Sequence, residues 1–410
     1  MLETQAQAQR RLRRSSAGLA TVLKNLRRVA PHPWVGLPLA RLELEKRFFN
    51  LLHPRADGVA GNILQASFRI TDVCNLRCHT CGQWGDHGFL HGLDLKQLRR
   101  DEVHPDRYRE IFRDLVANGH RPVLYFWGGE PMLYPGLADL IADAAALNLP
   151  SAIATNGTRL LESADRFVSA PLFLLQVSID GHNADLHNRC RPHAGGSGDN
   201  FGDIVRGLEA VRARRRRLPL IAALTVVSQA NLPHLVDIYD TFRDKVDLFV
   251  FYMSWWIDEK NAAAHEADFA RRFGFRPQKH RGWIGDWKLT DTADLERQFT
   301  RLDERSRQWS APPVTFIPNV RGLDNLRAYY TDHTATFGYR QCVSINQVVE
   351  VNSNGDVSPC RDYHDYVVGN IKTSTLTELW NSPSYRKFRQ SLREDGLMPV
   401  CRRCCGLMGY

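Results

Sequence analysis

Three cysteines, Cys74, Cys78 and Cys81, stand at a C-x3-C-x2-C spacing directly after an apolar run, Gln65 to Ile70. A loop that short can set three thiolates on three corners of one iron–sulfur cube. No fourth cysteine follows closely, as it does in ferredoxin spacings. One iron is then left without a protein ligand, and an open iron is a place for a small molecule to bind. A single zinc ion is the competing reading, but zinc prefers matched C-x2-C pairs, and the first two thiols here are spaced differently.

Three further short segments carry glycine or small polar groups, each closing an apolar run: Phe126-Trp127-Gly128-Gly129-Glu130-Pro131, Thr155-Asn156-Gly157-Thr158 and Val177-Ser178-Ile179-Asp180-Gly181. Gly128 and Gly129 let backbone approach a ligand closely. Asn156, Ser178 and Asp180 suit hydrogen bonds to hydroxyls or a carboxylate, and Arg191 suits bidentate pairing with a carboxylate. Together with the cysteine loop, these four segments resemble the radical S-adenosylmethionine (SAM) superfamily in its motif order. One departure is Thr80, where the family usually has an aromatic residue, which puts the adenine contact in doubt. The resemblance implies a [4Fe–4S] cluster on Cys74, Cys78 and Cys81. It also implies a SAM site built from Gly128, Gly129, Glu130, Asn156, Ser178, Asp180 and Arg191. Arg189 competes with Arg191, because the segment from Gly181 is one residue longer than the usual pattern.

Near the other end, Cys342-x12-Gly355-x4-Cys360 spans a predicted hairpin with Asn352 to Gly355 as its turn. A predicted helix, Leu376 to Trp380, and then Cys401-Arg402-Arg403-Cys404-Cys405 follow. This arrangement resembles the SPASM/twitch extension of radical SAM enzymes. The resemblance implies one auxiliary [4Fe–4S] cluster on Cys342, Cys360, Cys401 and Cys404, with Cys405 as an alternative to Cys404. Tetrahedral zinc is the other reading of two spaced thiol pairs.

The elements that must position these groups alternate. Strands are expected at Gln65–Ile70, Val123–Trp127, Ser151–Ala154, Phe173–Ile179, Leu220–Val227 and Leu248–Met253. Amphipathic helices fall between them, for example over Pro105–Asn118, Leu137–Leu147 and Asp203–Arg215. Such alternation argues for an α/β fold with a parallel sheet and helices on its outer face. Six units fit the (β/α)6 partial TIM-type barrel that the resemblance implies, with function at the C-terminal strand ends.

Four regions are expected: a basic helical N-terminal extension over 1–62, the barrel over 63–257, a helical substrate region over 258–338, and a small SPASM/twitch domain over 339–410. In the first, Leu19, Val22, Leu23 and Leu26 repeat at helical spacing. A basic amphipathic helix of this kind either packs on the barrel or makes weak contact with an anionic membrane surface. In the third, Trp283 and Trp287, with Trp255 and Trp256 just before, line a cavity or, the more ordinary outcome, pack in a core. Cys190 is read as a small buried apolar residue, with hydrogen-atom return to a substrate radical as the second reading.

Of 410 residues, 43% are hydrophobic and 24% charged, which fits a folded chain with a substantial core. The formal charge of +9 is not accompanied by any nucleic-acid-binding module, so no nucleic-acid partner is expected. No run of 18 apolar residues marks a membrane span, and no signal-peptide pattern opens the sequence, so a cytoplasmic location is expected. Nine cysteines are then better explained as ligands or reactive thiols than as disulfides.

The resemblance implies reductive cleavage of SAM to a 5′-deoxyadenosyl radical. Hydrogen abstraction from an unactivated C–H bond follows, and the auxiliary cluster serves oxidation or cross-linking. A small metabolite is the favoured substrate over a peptide or a lipid, with flavodoxin or ferredoxin as electron donor. The alternative of another class is a non-catalytic iron–sulfur or zinc scaffold or redox sensor, which has no need of a SAM pocket.

Overall fold

A computed structural model describes residues 57–285, 288–308, 310–361 and 364–404. The expected N-terminal helices, their Leu19–Leu26 stripe, Trp287 and Cys405 lie outside the described residues.

Six strands, β1 (Gln65–Thr71), β2 (Val123–Gly128), β3 (Ser151–Thr155), β4 (Leu174–Ser178), β5 (Leu220–Val227) and β6 (Leu248–Met253), each pair in parallel with the next. The intervening helices form because their apolar residues recur at helical spacing. Pro105–Ala117 begins with proline at its first turn and is capped by His104. It buries Tyr108, Ile111, Phe112 and Leu115 on one face. Leu137–Ala146 buries Leu137, Leu140, Ile141 and Ala144 in the same way. Between helices and sheet, Phe68 of β1 stacks on Phe126 of β2 at 5.7 Å and meets Tyr108 edge-on at 5.3 Å. The alternation of a strand then dictates the rest: Ala66, Phe68 and Ile70 join this core, while Arg69 faces the barrel interior.

The sheet does not stop at six strands. β7 (Val314–Ile317) adds in parallel to β6, inside the region expected to be helical. Four residues between Pro313 and Pro318 are too short to display a period, which is why the sequence conceals this strand. At the other edge β8 (Val348–Val351) pairs in parallel with β1. β9 (Asp356–Ser358) and β10 (Gly369–Asn370) continue antiparallel, so one sheet of ten strands runs β10-β9-β8-β1-β2-β3-β4-β5-β6-β7. The β8–β9 hairpin turns where expected, with Gly355 at φ 91°. The C-terminal region is thus continuous with the barrel through a shared ladder rather than tethered beside it.

Two buried arginines fix the C-terminal segment. Arg389 donates to the carbonyls of Ile345 and Gly58 and lies over the Trp380 and Tyr385 rings, 4.1 Å from each. Arg403, fully buried, donates to the carbonyls of Tyr329, Ala335 and Asp332 and faces the rings of Trp256, Tyr329 and Phe337. Neither guanidinium is paired with a buried carboxylate; Arg403 donates from all three nitrogens to carbonyls, whereas Arg389 Nη2 has no hydrogen-bond partner among the described residues.

Candidate functional site

The cysteine loop leaves the end of β1 and is held by backbone on two sides. Leu76 forms an antiparallel bridge with His193. Arg77 N donates to Pro192 O at 2.8 Å, His79 N to Cys190 O at 3.2 Å and Ala194 N to Asn75 O at 2.8 Å. On the other side, Gly129 N donates to Thr71 O and Glu130 N to Val73 O. A Cβ on Gly128 would stand 2.3 Å from Thr71 O, and one on Gly129 would stand 2.3 Å from Val73 O. The glycine pair therefore makes room for the cysteine loop, and both glycines also line the cavity beside it.

Burial pushes the Cys74 thiol well above its ordinary value, with the neighbouring Cys78 charge adding to the effect. Burial pushes Cys78 up to about 12, although Arg191 opposes it. Buried thiols crowded together discharge poorly alone, and a bound metal centre resolves both burdens. Backbone N–H groups are already aimed at two of the sulfurs, Leu76 N at Cys74 Sγ and Trp84 N at Cys81 Sγ, both at 3.4 Å. Tetrahedral zinc with Zn–S bonds near 2.3 Å would hold its sulfurs about 3.8 Å apart. Among the described residues no three cysteine sulfurs lie mutually within 4.8 Å, so neither cysteine set is drawn in as a mononuclear chelate. The residues fit a cluster.

Behind the loop, three strand ends carry the polar groups. Asn156 donates to Asn75 Oδ1 at 2.9 Å and accepts from Thr158 N, so it faces the site while bracing the loop. Ser178 also lines the cavity. Glu130 does not: it is fully buried, and its carboxylate accepts from Thr155 Oγ1, Met132 N and Asn156 N. Asp180 is likewise turned away, accepting from Val226 N at 2.8 Å and from Arg191 Nε at 2.6 Å. Both carboxylates were expected at the ligand; both act as positioning residues, because each is saturated by donors from its own neighbourhood. Arg191, buried and pointed at Cys78 Sγ at 3.6 Å, faces the cavity, whereas Arg189 is exposed. Asp180 in turn is fastened by His187, whose Nδ1 accepts from Asp180 N.

The cavity these elements enclose measures about 330 Å³ and also reaches the C-terminal region. Its further wall comprises residues that sequence reasoning did not single out: Arg69, Gln83, Phe89, Tyr125, Arg361 and His364. Tyr125 and Trp127 alternate with the core residues Leu124 and Phe126, so the period of β2 carried the signal. Trp255 and Trp283 line the cavity and meet edge-on at 4.4 Å. Trp256 instead is core, and it contacts His333. The Trp283 ring closes over Gly82, where a Cβ would approach to 2.5 Å. Cys190 is buried and does not line the cavity. Four of the lining residues also carry a side-chain atom, Gln83 Oε1, Trp127 Nε1, Trp255 Nε1 and His364 Nε2, that is buried without a hydrogen-bond partner among the described residues.

At the C-terminal site Cys342, Cys360 and Cys401 pack against one apolar cluster, and Cys342 and Cys404 also touch the main core.

The family profile described as "Radical SAM superfamily" matches residues 68–241, and one described as "Iron-sulfur cluster-binding domain" (SPASM) matches residues 342–405. The chain belongs to the radical SAM superfamily and carries a SPASM domain; SAM and [4Fe–4S] clusters are the cofactors of such enzymes. It is 23% identical to an AdoMet-dependent heme synthase of Oleidesulfovibrio alaskensis, over 83% of this chain and 81% of the relative. It is 24% identical to a cysteine-type anaerobic sulfatase-maturating enzyme of Clostridium perfringens, over 81% of this chain and 83% of the relative. Its fold is similar to that of Streptococcus suis SuiB bound to the precursor peptide SuiA. There the TM-score is 0.56 at 15% identity, covering 85% of this chain and 72% of that one.

Proposed function

We propose that this protein is an oxidoreductase that abstracts a hydrogen atom from an unactivated C–H bond of a small-molecule substrate. In this reading Cys74, Cys78 and Cys81 hold the cluster that binds SAM, and Cys342, Cys360, Cys401 and Cys404 hold one auxiliary cluster. The observation that carries it is the common cavity: the three cysteines, Asn156, Ser178 and Arg191 line one space together with Trp127, Trp255 and Trp283. When bound, the cluster and SAM together supply a one-electron cleavage that yields a carbon radical.

The chain's own residues do the positioning. Arg191 is the group suited to a carboxylate of the cofactor, and its guanidinium is oriented by Asp180 at 2.6 Å. Asn156, held by Asn75 and Thr158, offers short polar contacts to a ribose or an amino group. Trp255, Trp283 and Trp127 exclude water from the reacting carbon. Arg361 and His364 follow Cys360 in sequence, so the wall nearest the substrate is continuous with the proposed auxiliary ligand. That continuity supports a role for the second cluster in receiving an electron from oxidised substrate. The relatives named as heme synthases support a small molecule; the sulfatase-maturating enzyme and SuiB keep a peptide as the outcome that would revise it. A flavodoxin or ferredoxin supplies the electron in this proposal, and a cytoplasmic location suits chemistry of this sensitivity. Among the described residues no helix is long and apolar enough to cross a membrane.

The test is incubation of anaerobically reconstituted protein with SAM and dithionite, followed by assay for 5′-deoxyadenosine. Formation is expected; its absence with a full iron complement overturns the reading.

A further inference from the structure

The residues after the third cysteine are wound tightly on themselves. Gly85 N donates to Cys81 O at 2.9 Å, Phe89 N to Gly82 O at 3.1 Å and Leu90 N to Gln83 O at 2.9 Å. A segment distant in sequence, the short helix Lys279–Trp283, docks onto these turns. Two glycines play reciprocal parts in the contact. A Cβ on Gly82 would stand 2.5, 2.6 and 2.8 Å from Cε2, Cζ2 and Cδ2 of Trp283, so the indole lies face-on to the loop. A Cβ on Gly282 would stand 2.5 Å from Gly82 O and 3.3 Å from Phe89 N. Neither glycine has a positive φ, so backbone conformation does not call for glycine at either position. Close approach does: one admits a ring, the other a carbonyl.

The indole is held from several directions. The Trp283 carbonyl accepts from Ile257 N at 3.2 Å, and Ile284 bridges Ile257 in parallel. At the start of the segment, Gln278 N and Lys279 N donate to one carboxylate oxygen of Asp365, at 3.3 and 3.0 Å. Arg281 Nε donates to Glu266, on the helix Glu259–Phe273, at 2.7 Å. Trp283 lines the cavity together with Thr80, Cys81 and Gly82. Between Cys74 and Gly82 the loop itself adds only Leu76 and Thr80 to that wall besides its thiols.

We propose that Trp283 is a positioning residue for the cluster on Cys74, Cys78 and Cys81. Its indole closes the Cys81 side of that cluster against water, so that the region 258–338 lowers the cluster's reduction potential and lengthens its life in air. The inference deepens the proposed function and rests on it for the identity of the cluster. The physical link is charge. Reduction adds one negative charge to the cluster, and a wall of low polarity favours that addition less than water does. Removing the wall therefore raises the potential and admits oxidant. Trp283 acts through the loop it covers.

The test uses the full chain, anaerobically reconstituted and without SAM. Electron paramagnetic resonance follows the reduced-cluster signal that survives in Cys360→Ala/Cys401→Ala, which assigns it to the first cysteine set. Trp283→Ala is expected to raise the midpoint potential of that signal by about 59 mV, a tenfold shift of a one-electron equilibrium. It is also expected to shorten the signal's lifetime in air several-fold. Trp283→Phe, which keeps a flat ring, should hold both values near those of the unaltered protein. Gly82→Ala keeps the indole but pushes it off the loop, and should follow Trp283→Ala; it decides alone if Trp283→Ala does not fold. The second signal, lost in Cys360→Ala/Cys401→Ala, should move less in every variant. An unmoved potential and lifetime in the folded variants overturn the proposal. So does an equal or larger shift of the second signal, which marks general loosening of the fold. Formation of 5′-deoxyadenosine by the unaltered protein is scored separately: its absence from a cluster-loaded chain defeats the proposed reaction and not the shield, whereas an unmoved potential and lifetime defeat the shield and not the reaction.

Discussion

The two cysteine sites of this chain are built in opposite ways. The first lies within eight residues, Cys74 to Cys81, and backbone hydrogen bonds to the ends of neighbouring strands hold it. The second, as we propose it, draws on Cys342, Cys360, Cys401 and Cys404, whose segments are held by β8 joining β1 and by Arg389 and Arg403 capping carbonyls at a distance. A local loop can be correct before the rest of the fold exists; an assembled site is only as good as its tertiary contacts. The contrast predicts that damage should stay local in one direction and not in the other.

The largest effect tests that independence. Cys78→Ala is expected to reduce 5′-deoxyadenosine formation to the background of reductant and SAM alone. The double variant Cys360→Ala/Cys401→Ala is expected to lose about half of the cluster iron, yet still cleave SAM while failing to complete substrate oxidation. Chemical iron analysis and product assay by mass spectrometry separate the cases. Loss of SAM cleavage in the double variant breaks the comparison.

Next is Arg403→Met, which removes donors from the Tyr329, Ala335 and Asp332 carbonyls. Losing these bonds is expected to cost about 2–3 kcal/mol, roughly 1 kcal/mol for each of the Tyr329 and Ala335 carbonyls and less for Asp332 O, which still accepts from Ala335 N. Denaturant unfolding should show the loss, with auxiliary iron depleted first. Equal depletion at both sites would count against separate assembly.

Glu130→Gln probes the local site from behind. The carboxylate accepts from three donors, and an amide group must turn an N–H toward one of them. A loss of about 1–3 kcal/mol is expected, with lower SAM affinity read by equilibrium dialysis. An unchanged affinity would remove Glu130 from the positioning set.

The smallest effect is a pH dependence. Burial lowers the His187 imidazole to about 3, with Arg191 adding to the effect, so the folded form resists the proton that the unfolded chain takes up near 6.5. Stability from this group is therefore full above pH 6.5 and falls as the pH drops below it, by about 2 kcal/mol at pH 5. His187→Asn keeps an acceptor for Asp180 N without a titrating ring. Its melting temperature should fall less between pH 7 and pH 5 than that of the unaltered protein; an identical decline excludes His187 as the cause.

What the sequence made legible follows the same division. Leu220–Val227 and Leu248–Met253 are strands over their expected lengths, and Leu376–Trp380 is the helix expected. Their apolar runs are long or sharply bounded, so local pattern decides. The cysteine loop, Asn156 and Ser178 line the cavity where short motifs at strand ends pointed, and Arg191 does so from the end of the helix Ala184–Cys190. Glu130 and Asp180 misled because motif membership does not reveal whether a carboxylate points into a cavity or into its own donors. Arg69, Arg361 and His364 were out of reach: their common wall depends on β8 lying beside β1, a pairing between segments far apart in the chain. β7 was hidden by its length, with proline on both sides.

The parallel pairing of β8 with β1 also sets a timetable. Residues 65–68 of β1 keep one ladder edge bare from the moment they leave the ribosome until residues 348–351 emerge. At roughly 5–20 residues per second that wait lasts some tens of seconds. Throughout it the nascent chain displays an unpaired strand carrying three thiols at its tip, exposed to stray pairing and to oxidants. A chaperone or scaffold engaged early would shelter that edge, and delivery of iron and sulfide before release would occur on a chain still lacking its last strands.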